Sequence, residues 1–180
     1  MNLLFRLFLV VIESFFRRRL HPLSESVLHL TVLPNDLDLN MHMNNGRFLP
    51  IMDLGRIDIM LRTDLAKVAL TRGWVPLVGG VTIRYRQSLN PFDRYKLHSK
   101  VIGWDEKWFY IEQRFTRKNR LIAVALVKTL FRGNHRNITP EETLKAIHVN
   151  IDPPMIPEKV LMWLSMEDSQ PPSSPLLRKS

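Results

Sequence analysis

Residues 47–61 carry apolar side chains on more than one side of a helix. Phe48, Ile51, Met52, Gly55, Ile59 and Met60 recur at helical spacing, and Leu49, Leu54 and Ile57 widen the stripe beyond one face. A helix with that much apolar surface has to be enclosed. Asn44 or Asn45 is a suitable cap, and Pro50 fits only if the helix has barely begun there. Four strand-like runs follow, at 75–89, 94–104, 107–116 and 121–131. In the first, Val81, Ile83 and Tyr85 alternate with Thr82, Arg84 and Arg86; the last is nearly all apolar, as suits a central strand. One earlier strand covers 27–33. Strand, buried helix and four antiparallel strands predict an α+β fold, with the sheet wrapped around one long helix.

Local signals divide the rest. Residues 64–74 read as a short helix stopped by Gly73. Turns fall at Asp105-Glu106 and at 117–120, and Gly79-Gly80 permits a bulge. Thr139 caps a short helix with Pro140 in its first turn and Glu142 in the capping-box position. A length of 180 residues suits one core, placed at 26–150. Residues 151–180 are expected to form a Pro-rich extended arm carrying Trp163, ending in a disordered tail.

Residues 1–25 form a separate leader. Leu3, Leu4, Phe5, Leu7, Phe8, Leu9, Val10, Val11, Ile12, Phe15 and Phe16 are apolar, while Asn2, Arg6, Glu13 and Arg17 share one helical face. The run falls short of the roughly 20 apolar residues of a spanning helix and carries two charges, which leaves a spanning helix as the lesser alternative. The lack of a small-residue cleavage site weighs against a signal peptide. With Arg17, Arg18 and Arg19 behind it, residues 1–20 suit a helix lying in a membrane interface. The alternative is a helix docked on the domain or on a partner. Under the first reading, the domain keeps its fold without residues 1–20.

The formal net charge is +9 and the isoelectric point about 10.3, a surface that attracts polyanions. No zinc-knuckle spacing, phosphate-cradling Gly loop or aromatic RNA-binding pattern is present, so no nucleic acid is expected. The chain has no cysteine, which removes disulfides, thiolate metal sites and a cysteine nucleophile.

The chemistry-bearing residues crowd into 36–48, between the first strand and the buried helix. Asp36, Asp38, Asn40, His42, Asn44 and Asn45 all fall there. Free amides and the positive dipole end at a helix start polarise a carbonyl and hold an oxyanion. A carboxylate beside them can activate water or attack, and His42 can position substrate or share the proton work. The same residue types also serve as ordinary turn and cap residues, and spacing alone leaves both readings open. No further ligands support a metal pair at Asp36 and Asp38.

The segment closely resembles the signature of hotdog thioesterases of the 4-hydroxybenzoyl-CoA and acyl-ACP thioesterase type. That signature runs Asp-x-Asp, His-x-Asn-Asn, an aromatic, then a helix bearing an acid. Here these are Asp36 and Asp38, His42, Asn44 and Asn45, Phe48, and Asp53. The likeness is closer to the thioesterase superfamily member six type, through Ile102-Gly103-Trp104-Asp105 and Asp152-Pro153-Pro154. Phe48 stands where tyrosine is frequent, and Asp53 where glutamate is common.

The resemblance implies a hotdog fold and an acyl-CoA thioesterase that releases a fatty or aromatic acid and a thiol. It implies that Asp38 is the nucleophile or general base, with Asn40 and His42 in support, and that Asp53 is a secondary acidic candidate on the helix. Substrate would be held by Asn44 and Asn45, by an acyl tunnel beside Phe48, Ile51 and Met52, and by Arg84 and Arg86. Those arginines, with Arg132 and Arg136, would meet CoA phosphates or an acidic carrier protein. No cofactor is implied beyond CoA as part of the substrate. A homodimer is the smallest assembly implied, and the location is cytoplasmic, with peripheral membrane contact under the first reading of the leader. The alternatives are a membrane-associated acyl- or lipid-binding hotdog protein without turnover, and an acyl-ACP hydrolase.

Overall fold

The computed structural model describes residues 2–168. Its elements are α1 (Asn2–Phe16), β1 (Ser26–Thr31), α2 (Asn45–Arg62), α3 (Leu65–Arg72), β2 (Val75–Tyr85), β3 (Arg94–Trp104), β4 (Phe109–Arg117), β5 (Arg120–Arg132), β6 (Asn137–Ile138), α4 (Pro140–Ala146) and α5 (Glu158–Asp168). The sheet runs β1-β3-β4-β5-β2, antiparallel throughout, with β6 added to β5. It curls around α2, giving the expected α+β hotdog architecture.

The periodicities explain the core. Phe48, Ile51, Met52 and Leu54 of α2 are buried against Leu97, Phe115, Ala123, Ala125 and Val127 of the sheet. Phe48 stands edge-on to Phe115, with ring centroids 4.8 Å apart. A second cluster joins Trp74, Trp104, Phe109, Phe131, Ile138 and Leu144. Asn44 does cap α2, its side chain accepting from the Gly46 amide at 2.7 Å, so the helix opens at Asn45 rather than at 47. Pro50 lies well inside it, yet withholds only the one N–H that would have met the Gly46 carbonyl. Lys118 and Asn119, at φ 47° and 62°, make the tight turn between β4 and β5.

Several expectations shift. β2 ends at Tyr85, because beyond it Leu89 turns into the core, and its carbonyl accepts from the Met43 amide at 2.8 Å. Thr139 caps α4 as expected, but the Glu142 carboxylate pairs with Arg136 instead of returning to the cap. The arm is extended only to Pro157. It then coils into α5, which buries Val160 and Trp163. The tail at 169–180 lies outside the described residues.

The leader docks, and it does so with Arg6 and Arg17 inward. Arg6, 5% exposed, donates to Asp36 at 2.5 Å and to the Thr31 carbonyl at 2.7 Å. Arg17 donates to the fully buried Asp58 at 3.1 Å and to the Val27 carbonyl at 2.8 Å. Both carbonyls lie on the edge of β1 not used by β3, so α1 covers that edge. Leu3, Leu7 and Val10 join the core. Leu4, Phe5, Phe8, Leu9, Ile12, Phe15 and Phe16 face out and are exposed. At the opposite end of the sheet, β2 leaves Val75, Leu77, Val78, Val81 and Tyr85 exposed.

Candidate active site

The two aspartates of the loop do different work. Asp36 is fully buried. One oxygen accepts from Arg6 and from the Leu33 amide at 2.9 Å; the other accepts from Arg47 Nε and Nη2 at 3.1 and 3.0 Å. It anchors the loop between α1, β1 and α2. Asp38 closes the turn: its Oδ1 accepts the amides of Asn40 at 2.8 Å and His42 at 3.2 Å, and its own amide donates to the His42 carbonyl. Met41 takes a φ of 58° within that turn. Asn40 is exposed and His42 half-buried.

Asn44 is committed to the cap. The Asn45 carbonyl accepts from the Tyr85 hydroxyl at 2.9 Å, tying the start of α2 to the end of β2. The Asn45 amide makes no hydrogen bond among the described residues. Phe48, Ile51 and Met52 are core residues, 2% exposed or less, and the chain's apolar cavity is not lined by them. The tunnel expected there is filled by Phe115 and Tyr85, whose rings pack on Phe48. Arg84, on β2, and Arg86, just past its end, are both exposed. Arg84 lies opposite Val124 and Arg132 opposite Val75, nine residues apart along β2 or about 30 Å. The four arginines therefore do not converge, and Arg136 is held by Glu142.

The apolar cavity lies under the second half of α2 instead. It encloses about 210 Å³ between Ile57 and Met60 of the helix, Val101, Trp104, Phe109 and Phe131 of the sheet, and Leu144 of α4. Asp53 and Arg56 are its charged lining residues. From Asn45 to Asp53 the helix rises about 12 Å, so within one chain the loop stands away from the cavity.

A buried polar chain holds this end together, and neither spacing nor motif revealed it. Gln113 is fully buried; its Nε2 donates to the Met52 carbonyl at 2.9 Å and to Ser99 Oγ at 2.8 Å. Its Oε1 accepts from Arg56 at 2.7 Å, and Arg56 in turn pairs with Asp53. Burial lowers the Arg56 basicity and the Asp53 carboxylate opposes that, so the guanidinium stays charged. The available signal was the isolated Gly55: a Cβ there would lie 2.2 Å from Ser99 Oγ and 3.0 Å from Gln113 Nε2. Gly55→Ala is therefore expected to force α2 off the sheet and destabilise the chain by about 1–3 kcal/mol, read as a lowered denaturation midpoint. An unchanged midpoint would show that the contact has slack. Among the described residues no group of three His, Asp or Glu is placed to hold a metal.

The thioesterase-like superfamily pattern matches residues 32–164. Among curated proteins, the chain is 37% identical over 145 residues to Protein THEM6 of Danio rerio, covering 79% of this chain and 70% of that one. It is 33% identical over 141 residues to Protein THEM6 of Xenopus laevis, covering 77% of this chain and 66% of the frog protein. Among solved structures, it matches YbaW, a probable thioesterase from Escherichia coli, with a TM-score of 0.61 at 19% identity. That superposition covers 67% of this chain and 97% of YbaW, and it establishes the fold.

Proposed function

The chain belongs to the thioesterase-like superfamily, and from that premise we propose that it hydrolyses acyl-CoA thioesters at a site shared between two copies of itself. The observation that carries the reading is a carboxylate, Asp53, on the wall of an apolar cavity that can take a fatty or aromatic acyl group. Asp53 accepts a proton from water as the oxygen attacks the thioester carbonyl. The C–S bond then breaks and the thiolate leaves, taking up a proton. Arg56, gripped by Gln113, fixes the carboxylate in place.

A homodimer completes this site. β2 is an uncovered, apolar edge that pairs naturally with a copy of itself. Antiparallel pairing about Gly80 sets Pro76, beside the cavity, against the partner's Arg84, next to the Tyr85 that holds the start of α2. The partner's Asp38 turn, His42 and free Asn45 amide then face the cavity mouth, the amide positioned for the oxyanion. The test is hydrolysis of an acyl-CoA panel of graded chain length alongside the same acyl groups on carrier protein. Turnover of CoA esters supports the reading. Binding without turnover on any donor would replace it with an acyl-binding role, and turnover confined to carrier-bound acyl groups with a carrier-protein hydrolase.

The outward face of α1 supports contact with a membrane surface, and with it a peripheral placement. Seven large apolar side chains form one stripe there, with Arg18 exposed at its end. No helix among the described residues is long and apolar enough to cross a bilayer. A helix lying flat in the headgroup layer is the arrangement this face fits.

A further inference from the structure

We propose that a groove on the outer face of β1 and β3 binds the phosphate of an anionic lipid headgroup. This rests on the membrane contact of α1. The groove, about 570 Å³, is lined by Arg94, Lys96, Lys118 and His29, with the hydroxyl-bearing Thr31 and Thr116 between them. All four basic residues are exposed, and none of the groove's lining residues is acidic. Carboxylates on the same strands or just before them are already engaged: Asp93, next to Arg94, by Arg117, and Glu25, next to Ser26 of β1, by His98 and Arg114. Arg94, Lys96 and Lys118 pair with no carboxylate among the described residues, so three cations converge without a counter-ion. Such a set attracts a phosphate strongly. The Thr116 hydroxyl lies 2.9 Å from His98 Nε2, which fixes it as a second polar contact at the groove wall.

Position selects the lipid. Thr31 lines the groove with its side chain, while its carbonyl accepts from Arg6 of α1. β1 alone therefore separates the groove from the helix whose apolar stripe faces out. A bilayer receiving Phe5, Phe8 and Ile12 brings its headgroup layer to the cations beside them. The arrangement joins an apolar insertion to a charged pocket, the two signals that stable peripheral binding requires.

The experiment is sedimentation of the full chain with phosphatidylcholine vesicles, with and without phosphatidylserine, across a salt series. The variants are Arg94→Glu/Lys96→Glu/Lys118→Glu, the milder Arg94→Gln/Lys96→Gln, and Phe5→Ser/Phe8→Ser. Thermal melts confirm that each is folded. The wild type is expected to prefer the anionic vesicles, and the triple reversal to weaken that binding about a hundredfold while keeping the weak affinity for neutral ones. Phe5→Ser/Phe8→Ser is expected to weaken both. Equal binding to both vesicles, or a triple variant indistinguishable from wild type, overturns the groove and leaves the membrane contact standing. Binding to neither vesicle overturns both. If the triple reversal abolishes binding of inorganic phosphate yet leaves the preference for anionic vesicles intact, the groove is a site for free phosphate and not for lipid.

Discussion

Asp53→Asn is expected to lower kcat/KM on a good acyl-CoA by about 10²–10⁴, the usual worth of a positioned general base. The fold should be untouched, because the side chain is 54% exposed and its partner Arg56 keeps Gln113. Asp38→Asn keeps an oxygen that can close the loop turn but removes the negative charge, and should also lower activity, through the partner's cavity. The two losses lie on different subunits of one site. Mixed and re-equilibrated, half of the dimers combine one variant of each kind, and each of these holds one intact site. The mixture should therefore recover about a quarter of the wild-type rate. A mixture no more active than its two parents would mean that loop and cavity never meet across the dimer. An Asp38→Asn enzyme as fast as wild type would reduce that residue to a turn-former.

Removing residues 2–17 is expected to abolish cooperative folding, reversing the expectation that the leader is separable. Asp36 would lose Arg6 and Asp58 would lose Arg17, each carboxylate being fully buried. Leaving a buried charge underpaired costs about 3–5 kcal/mol, and the lower end applies because Arg47 and Arg62 remain. Two such losses approach the whole stability of a domain. The free edge of β1 and the core contacts of Val10 would be exposed as well. The single substitution Arg6→Met isolates one lock and should lower Tm by roughly 6–12 °C, from about 3 kcal/mol at 2–4 °C each. A truncated chain that melts cooperatively near the wild-type temperature would show that α1 is merely an appendage.

These results separate what the chain declares locally from what it does not. The α2 stripe, the Asn44 and Thr139 caps, the Gly73 stop and the bulge at Gly79-Gly80 were all legible, since each depends on neighbours a few residues away. The 36–48 segment marked the fold for the same reason: its turn chemistry and the helix after it are contiguous. By itself the sequence thus determined a hotdog chain with a polar loop at the head of a buried helix. Only the tertiary structure decided that Asp36 is an anchor, that the rings of Phe115 and Tyr85 close on Phe48, and that the cavity lies under the second half of α2, from Asp53 onward. Those outcomes rest on partners 30 residues distant for Arg6 and Asp36, and 57 for Arg56 and Gln113. A buried arginine and a membrane-facing one have the same neighbours in sequence. Which way α1 turns them is set by where the carboxylates arrive once the sheet has closed.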